Sequence, residues 1–345
     1  MSAVARIVID EAPGETRAAA FDGSDRPVRL FIERWGGLAG PVRLGDVVPG
    51  RLRRASPKDG GAFFELESGD EVFVRGEPKL SEGARTELLV VAEARRGKLA
   101  RAALTHSPSP ATSPLERWLA SASGGTAINV ERGFGLSDEA FELALSRRIG
   151  LAGGGAIEIE RTTALVAVDV DTSGREAKGS AGARAFAVNR EAVAEAARQL
   201  ALRGLGGLCV IDCIAPVNRD SGQKLKDIFV QAFGSVSGRE VDALAPSRFG
   251  LLEAKLAWAE APIADWFVDE TGAITAETEL LSVLRDAYRE TTADRSGFYS
   301  VALSPRARGA YIARKQRCDA LLQEWFSGRL SISPEAAERS KVSRQ

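Results

Sequence analysis

Three aspartates could support chemistry because of their positions in two apolar strands. Asp169 and Asp171 stand two apart at the end of one predicted strand, so their side chains emerge on the same face, and Asp212 ends a second strand. If these strands are neighbours in a parallel sheet, the three carboxylates converge at its carboxyl edge, where open α/β sheets place ligands. Aspartates at strand ends are also common as simple caps, and that alternative stays open at this point.

The chemistry that such a cluster would support depends on a metal ion. Carboxylate oxygens without histidine or thiolate favour Mg²⁺, with Mn²⁺ as a second candidate. The matching reaction is attack of a metal-activated water on a phosphodiester, with the metal also neutralising the phosphoryl oxygens. The chain has a single histidine, His106, which argues against Ser-His-Asp triads and histidine-rich zinc or iron sites.

A second group of residues suggests a grip on single-stranded nucleic acid. Phe63 and Phe73 stand ten residues apart, each in a predicted strand of a small barrel. Aromatic rings that stack on bases, with nearby cations on the phosphates, are how OB folds hold single strands. The cations near these rings in the sequence are Arg51, Arg53, Arg54, Arg75, Arg95, Arg96, Lys98 and Arg101. Alternatively, one or both rings belong to the barrel core, since Phe63 and Phe64 must send one ring inward.

Other polar clusters have two interpretations each. Arg248 either binds phosphate or braces the sheet. The C-terminal cations are either a solvated helix face or a contact for RNA or a partner subunit, and they are Arg306, Arg308, Arg314, Lys315 and Arg317. Cys209 and Cys213 lie beside a very apolar segment and are expected in the core.

Composition restricts the class of protein. The 345 residues are 44% hydrophobic and 27% charged, with a net charge of −1, which excludes a wholesale polycation that coats nucleic acid. Three cysteines without a C-x-x-C pair fit buried thiols in a reducing compartment. No apolar run approaches the roughly 18 residues of a membrane span, and the N-terminus carries acidic residues where a secretory signal would be apolar. We therefore expect a cytoplasmic protein with no membrane association.

The elements before the aspartates are mostly strands. Period-two alternation over residues 6–10, 16–21 and 28–33 predicts an antiparallel meander. Four or five short strands between 44 and 105 fit a barrel of the OB type. Residues 106–114, rich in Ser and Pro, predict a linker, and residues 137–148 predict a helix with Ser137 as its N-cap.

The elements around the aspartates change to strand, helix, strand. Residues 156–160 and 163–171 predict a hairpin, and 208–212 a nearly continuous apolar strand. A helix over 189–203 connects them, which is the pattern of a buried parallel pair with a right-handed crossover. Further helices are predicted over residues 223–233, 277–292 and 307–326.

Several of these stretches together resemble the bacterial ribonuclease E/G family of endoribonucleases. The opening IVIDEAPGETR from Ile7 resembles the family's N-terminal strands, and the segment containing Phe63 and RAALT from Arg101 resembles its RNA-binding barrel. The stretch from Gly154 to Thr172, together with FAVN, ARQL, RGLGGLCVID and SRFGLLE, resembles its catalytic core. The 43-residue separation of Asp169 and Asp212 also agrees with the family's spacing.

The resemblance implies roles for the matched positions. Asp169 and Asp212 would bind the catalytic Mg²⁺ directly. Asp171 stands where the family usually has asparagine, and its extra charge would either tighten metal binding or repel the phosphate. Phe63 and Phe73 would grip single-stranded RNA near the cut, assisted by Lys98 or Arg101.

The implied fold is a multidomain α+β and α/β protein. Residues 1–42 and 106–152 would form a reduced RNase H-like part, 43–105 an inserted S1-type OB barrel, 153–262 a DNase I-like α/β catalytic domain, and 263–345 a small C-terminal α/β domain. The chain departs from the family between Thr105 and Gly153, where fewer than fifty residues replace a much longer segment. We therefore expect weak or absent sensing of a 5′-monophosphate.

A second departure concerns zinc. No cysteine stands near residues 266–272, where the family's zinc-linking motif should fall. We expect no zinc, and a homodimer, if one forms, would not be linked by it.

The leading hypothesis is a Mg²⁺-dependent endoribonuclease that cuts single-stranded RNA and leaves 5′-phosphate and 3′-hydroxyl ends. Two other classes remain. One is a non-catalytic RNA-binding or ribosome-associated protein on the same fold, and the other is a metal-dependent DNase that uses the same carboxylates.

Overall fold

A computed structural model describes residues 4–37, 40–107, 112–175 and 179–345. Over these ranges the backbone forms one closed five-stranded barrel and three open sheets, with helices packed against the open sheets. The mixed α/β architecture and the small barrel were both predicted from the sequence. Within the described ranges, no helix combines the length and the apolar character needed to cross a membrane.

The first sheet contains the predicted antiparallel meander of β1 (Val4–Ala12), β2 (Glu15–Asp22) and β3 (Pro27–Arg34). A fourth strand, β9 (Asn129–Gly133), pairs in parallel with β1. Strand β9 was not predicted because its residues are almost all exposed and show no alternation. Since β9 follows the barrel in the chain, the barrel is inserted between two strands of one sheet.

Helices cover both faces of this first sheet. Helix α1 (Pro114–Ser123) packs on one face through Trp118. Helices α2 (Asp138–Leu145) and α5 (Ile263–Phe267) pack on the other. Residues 108–111 of the predicted linker lie outside the described residues.

Helix α2 begins after Ser137, as predicted, but this serine does not cap it through its side chain. Its hydroxyl donates to the carboxylate of Asp10 over 2.8 Å instead. Asp10 is fully buried, and a buried carboxylate without donors would be costly. The Ser137 hydroxyl therefore stabilises the buried carboxylate of Asp10 and does not cap the helix.

Five strands close the barrel in the order β4-β5-β6-β8-β7, with β6 and β8 parallel and the other neighbours antiparallel. The strands are β4 (Val47–Ser56), β5 (Gly61–Leu66), β6 (Glu71–Arg75), β7 (Arg85–Ala92) and β8 (Ala100–Thr105). Leu52, Phe64 and Leu88 fill the interior and are almost completely buried. A closed five-stranded barrel of this kind is consistent with the predicted OB type.

The second open sheet has six strands in the order β10-β11-β12-β13-β15-β14. They are β10 (Arg148–Gly150), β11 (Ala156–Arg161), β12 (Leu165–Asp171), β13 (Gly207–Asp212), β14 (Val241–Ala243) and β15 (Leu251–Leu256). Only β12 and β13 are parallel neighbours, as predicted from their apolar runs. The sheet starts at Arg148, before the predicted domain boundary at 153.

Two helices pack on one face of the six-stranded sheet, and they are α3 (Ala181–Leu202) and α4 (Arg219–Ser237). Helix α3 connects β12 to β13 but begins eight residues before the predicted start. Its first residues are exposed and show no apolar periodicity, and its start is set by Ser180, whose hydroxyl accepts from the Ala183 amide over 3.3 Å. The opposite face of the sheet is exposed or half-buried, and we call it the open face.

The C-terminal part is a three-stranded sheet with three helices. The elements are α6 (Ala276–Ala293), β16 (Tyr299–Ala302), α7 (Pro305–Ala313), α8 (Lys315–Phe326), β17 (Leu330–Ile332) and β18 (Lys341–Arg344). The segment 307–326, predicted as one helical stretch, is divided between α7 and α8 at Arg314.

Candidate functional site

The strand register places Asp169 and Asp212 beside each other. Val168 on β12 is paired with Ile211 on β13, and the next residue of each strand is an aspartate. Neighbouring strands lie about 4.8 Å apart, and residues in register on parallel strands point to the same face. Both aspartates are exposed on the open face, since Val168 and Ile211 point into the core. The structure thus brings together the two predicted metal-binding carboxylates.

Two charged residues that the sequence analysis did not single out complete this row of the sheet. Glu158 on β11 stands directly opposite Asp169, and Arg148 on β10 stands directly opposite Glu158. Arg148 Nη1 donates to Glu158 Oε1 over 2.9 Å. The alternation of apolar and charged residues in β11 could have indicated that Glu158 lies on the open face. Arg148 could not be placed in this way, because β10 has only three residues.

Asp171 is engaged elsewhere. Its Oδ2 accepts a hydrogen bond from Arg148 Nη2, and its Oδ1 accepts from the Ser173 hydroxyl over 2.6 Å and from the Ser173 amide over 2.8 Å. These bonds, that of the Ser173 hydroxyl first and that of Arg148 next, hold the pKa of Asp171 well below its usual range. Asp171 is therefore an ionised partner of Arg148.

Asp171 has partners that Asp169 and Asp212 do not share. Over the described part of the chain, no three or more His, Cys, Asp and Glu side chains are grouped so as to hold a metal ion. Arg148 and Ser173 engage Asp171, so the convergence of all three aspartates on one metal site stays a prediction. The Asp169 and Asp212 pair remains, and Mg²⁺ needs only one or two carboxylates when waters and substrate phosphate supply the other ligands.

The barrel presents a row of two neighbouring rings with a cation at each end, across four strands. Arg54 is paired with Phe63, Phe63 with Phe73, and Phe73 with Arg101. The two ring centroids are 5.2 Å apart at an interplanar angle of 62°, and the Arg54 guanidinium carbon lies 3.9 Å from the Phe63 ring centroid. Both rings are half-buried. We call this row of four residues the barrel platform.

The barrel platform faces outward because its neighbour takes the inner position. Phe64 is fully buried in the barrel core, so Phe63 must point away from it. Space for the Phe73 ring depends on Gly61, where a Cβ atom would come within 2.4 Å of Phe73 Cζ and 2.2 Å of the Val74 carbonyl oxygen. Val72 and Val74, on either side of Phe73, are buried in the barrel core, so the interpretation of one or both rings as core residues is excluded.

Two further cations of the barrel, Arg95 and Lys98, lie where the barrel meets the six-stranded sheet. Lys98 is exposed in the turn between β7 and β8, in a bridge with Arg95. The Arg95 guanidinium carbon is 4.2 Å from the Trp258 ring centroid, just after β15. Burial, followed by the charges of Arg101 and Arg161, lowers the pKa of Arg95. Arg101 is thus part of both the platform and a cationic junction between barrel and sheet.

Arg248 lies at the other end of β15. It is exposed in the turn that precedes this strand, and its guanidinium carbon is 4.7 Å from the ring centroid of Phe249. Among the described residues Arg248 makes no ion pair, so it does not brace the sheet in that way. Strand β15 pairs with β13, and Leu251 stands opposite Asp212. The structure therefore brings Arg248 to the carboxylate edge.

The C-terminal cations mostly serve contacts within the chain. Arg308 donates to the carbonyl oxygens of Ser333 and Glu335, and Arg306 to that of Ile274. The described ion pairs of these cations are those of Arg306 with Asp269, of Arg314 with Glu277 and of Lys315 with Asp319. This cluster gives no support to an RNA contact.

The segment that carries the carboxylates is similar to known proteins. Residues 125–255 match the Ribonuclease E/G family. This range contains Asp169, Asp171, Asp212 and Arg248, and it confirms the resemblance seen in the sequence. The barrel platform lies outside the matched range.

Individual relatives show the same segment. Over 116 residues the chain is 39% identical to Ribonuclease E of Escherichia coli (strain K12), which covers 32% of this chain and 10% of that protein. It is 41% identical over 111 residues to a Putative ribonuclease E of Buchnera aphidicola subsp. Baizongia pistaciae (strain Bp), covering 32% of the chain and 27% of the relative. Ribonuclease G of Escherichia coli (strain K12) is 36% identical over 89 residues, 26% of this chain and 18% of its own length. The chain therefore spans about a quarter or less of each of these relatives.

Proposed function

We propose that this chain is an endoribonuclease that cuts single-stranded RNA on the open face of the six-stranded sheet. The observation that carries the proposal is the pair of Asp169 and Asp212, set side by side by the β12–β13 register within the range that matches the Ribonuclease E/G family. The relatives that share this range are named ribonucleases.

The donor set suits a hard divalent cation. Asp169 and Asp212 offer carboxylate oxygens from adjacent strands, and this fits Mg²⁺, or Mn²⁺, better than Zn²⁺, which is usually held by nitrogen and sulfur ligands. The three cysteines are buried and free. When bound there, the cation would supply a nucleophile at neutral pH and neutralise charge on the phosphoryl oxygens.

The protein's own groups would set the charge around the phosphate. Arg148 joins Glu158 and Asp171, so the row next to Asp169 carries a guanidinium as well as carboxylates. Arg248 is exposed at the same edge, where it would contact a substrate phosphate. In the proposed hydrolysis, the oxygen of water loses a proton and bonds to phosphorus, the bond from phosphorus to the 3′ oxygen breaks, and the leaving 3′ oxygen takes up a proton. The products are a 5′-phosphate and a 3′-hydroxyl.

The barrel would hold the strand. Phe63 and Phe73 offer outward ring surface for stacking on bases, and Arg101 and Lys98 offer charge for phosphates. We also propose that the enzyme does not depend on a 5′-monophosphate, since the chain between 105 and 153 is short. Three free buried thiols fit a reducing compartment such as the cytoplasm, and any homodimer would form without zinc.

One observation favours a second candidate, a non-catalytic RNA-binding protein. Asp171 stands where the resemblance predicts asparagine, and its carboxylate is engaged by Arg148 and Ser173. In that case the barrel platform would still bind RNA in EDTA, and Mg²⁺ would produce no new ends.

Cleavage of a labelled unstructured RNA tests the proposal. The RNA would carry a 5′-hydroxyl or a 5′-monophosphate, and each would be incubated with Mg²⁺ or EDTA. We expect internal cuts that require Mg²⁺, proceed at similar rates for both 5′ ends, and fall by orders of magnitude in Asp169→Asn and Asp212→Asn while RNA binding persists. The matched control is Asp227→Asn on α4, which makes the same charge change on the helical side of the sheet.

The other outcomes separate the alternatives. Cuts that persist in both aspartate variants would refute the assigned site. Tight binding without cuts would support the binding protein. Cleavage of a single-stranded DNA of the same sequence at a similar rate would indicate a nuclease that does not require the 2′-hydroxyl.

A further inference from the structure

Phe249 is the most exposed large hydrophobic side chain in the described part of the chain. It is 72% exposed, and it stands in the turn between β14 and β15. Phe298, at 57%, is the only other phenylalanine among the exposed large hydrophobic residues described. A single exposed ring needs no explanation by itself. The exposure of Phe249 does call for an explanation, because the ring stands on a hydrogen-bonded turn next to the strand that carries Asp212.

The backbone of the turn holds Phe249 firmly. The Ser247 amide donates to the Leu251 carbonyl over 3.0 Å, the Gly250 amide donates to the Ser247 carbonyl over 2.9 Å, and the Phe249 amide donates to the Ser247 hydroxyl over 3.3 Å. Gly250 has φ +86°, and a Cβ atom there would lie 3.0 Å from the Cys213 carbonyl oxygen. A fixed turn therefore presents the ring to solvent.

The turn is attached to the strand that carries Asp212. The Cys213 amide donates to the Gly250 carbonyl over 3.1 Å, and Leu251 is the register partner of Asp212. Since Asp169 follows in register on the next strand, Phe249 stands at the carboxylate edge of the sheet.

The barrel contacts the opposite end of β15. There Arg95 lies over Trp258, and the Glu93 amide donates to the Ala259 carbonyl over 2.8 Å. Along β15 the order is therefore the turn with Phe249, then the strand that flanks Asp212, then the contact with the barrel. An RNA strand held by the barrel and cut at the carboxylates would reach Phe249 only after passing the cut.

The chemistry of the pair suits a nucleotide. The Phe249 ring offers a face to a base, and stacking on aromatic rings tolerates any base. Arg248, 4.7 Å from the ring centroid, offers a guanidinium without a described ion-pair partner to the phosphate of the same nucleotide. Two such groups on adjacent residues match the two chemically distinct parts of one nucleotide.

We propose that Phe249 stacks on the RNA base on the far side of the scissile phosphate from the barrel, with Arg248 on the adjoining phosphate. This proposal rests on the proposed ribonuclease function, because it assigns a further contact of the same substrate. Phe249 is a binding residue and takes no part in bond breaking.

The test is an abasic scan of an RNA whose cut has been mapped. Each oligonucleotide lacks one base, and its affinity for the wild type, Phe249→Ala and Phe73→Ala is measured by fluorescence anisotropy in EDTA. We expect Phe249→Ala to weaken binding of intact RNA roughly ten-fold. At one position the abasic RNA should lose the same factor with the wild type and nothing more with Phe249→Ala. The position coupled to Phe73 should lie on the other side of the cut.

Two controls accompany the scan. Phe298→Ala removes an exposed phenylalanine from the C-terminal part and should leave affinity unchanged, and Phe249→Trp should preserve it. Unchanged affinity of Phe249→Ala for intact RNA would overturn the proposal. So would additive losses at every position, or coupled positions of Phe249 and Phe73 on one side of the cut. A change of oligomeric state in Phe249→Ala with unchanged RNA binding would instead assign the ring to a protein contact.

Failure of the proposed function has a different signature. If the wild-type chain cuts no RNA with Mg²⁺, the nuclease assignment fails, whereas the scan in EDTA still decides whether Phe249 stacks on a base. If the chain cuts RNA and the scan shows no coupling to Phe249, the nuclease stands and the inference about Phe249 fails.

Discussion

The buried ion pair of Arg285 and Asp10 joins helix α6 to strand β1, across almost the whole chain, and its removal gives a stability prediction. The Asp10 side chain is 0% exposed and that of Arg285 7%. Asp10 also accepts hydrogen bonds from the Ser137 hydroxyl and amide and from the Gly135 amide. Replacing Arg285 with Met keeps the packing volume but leaves Asp10 without a counter-charge.

The expected loss follows from this environment. Removing one partner of a buried ion pair costs about 3–5 kcal/mol, because the other charge stays buried. Three neutral donors to Asp10 remain in the variant, and two buried nitrogens of Arg285, Nε and Nη1, have no hydrogen-bond partner among the described residues. Both facts reduce the loss, so we expect about 3 kcal/mol for Arg285→Met at neutral pH.

The pH dependence has a definite sign. Burial alone would raise the pKa of Asp10, but the charge and hydrogen bond of Arg285, with the bonds from Ser137 and Gly135, lower it below its ordinary value. The stabilisation by ionised Asp10 is therefore present above the ordinary pKa and is lost as pH falls through the lowered one. In Arg285→Met the effect of burial dominates, so the pKa of Asp10 rises. Protonation of Asp10 at low pH then removes the unpaired buried charge and reduces the destabilisation of the variant. The difference in stability should therefore be smaller at pH 4 than at pH 7.

Urea unfolding followed by circular dichroism, with hydrogen exchange at β1, measures both effects. The matched control is Arg289→Met, one turn further along α6, where the arginine is 51% exposed and its pairs with Asp138 and Asp286 should contribute at most about 1 kcal/mol. Equal stability of Arg285→Met and Arg289→Met at pH 7 would refute the reasoning. A loss that grows toward pH 4 would refute it equally.

Three further predictions concern the site and the core. Phe73→Ala should weaken RNA binding in EDTA on the order of ten-fold, measured by anisotropy, and unchanged affinity would contradict the role of the barrel platform. Arg148→Ala should raise KM for RNA, because it leaves carboxylates uncompensated, and Asp171→Asn should lower KM, because it removes a carboxylate and leaves Arg148 with Glu158 as its remaining partner. Shifts of KM of the same sign in the two variants, measured by steady-state cleavage at several salt concentrations, would contradict this. Burial raises the pKa of the Cys209 and Cys213 thiols to about 12, so a thiol reagent at pH 8 should react with them only after unfolding, and rapid modification of the native protein would exclude this.

Much of the sheet that holds the site could be predicted from local patterns. The apolar runs before Asp169 and Asp212 predicted β12, β13 and their parallel pairing. The predicted burial of the pair holds for one face only, since helices cover one face of the sheet. Strands β9 and β10 could not be predicted. Each is short, and each owes its place to backbone pairing with a strand already formed, which leaves no periodic signal.

The barrel shows the same division between local and distant information. Alternation in β5 and β6 indicated that Phe63 and Phe73 could lie on the same face of the barrel. It did not show whether that face is the outer surface or the core. The buried position of Phe64 shows that the Phe63 ring lies on the outer surface. The direct pairing of Phe63 with Phe73, and of Phe73 with Arg101, depends on register across three strands, including a parallel pair. Sequence spacing does not specify such a register.

Asp171 illustrates why charge at a site cannot be inferred one residue at a time. From the sequence, an aspartate where the resemblance predicts asparagine adds one negative charge beside the scissile phosphate. In the structure β10 supplies Arg148, which bonds to both Asp171 and Glu158, so the added carboxylate comes with a cation. The two positions then act as one unit, because without Arg148 the Asp171 carboxylate has no guanidinium partner. The double variant Asp171→Asn/Arg148→Ala should therefore lie closer to the wild type in KM than Arg148→Ala does, because it removes the cation and the carboxylate together.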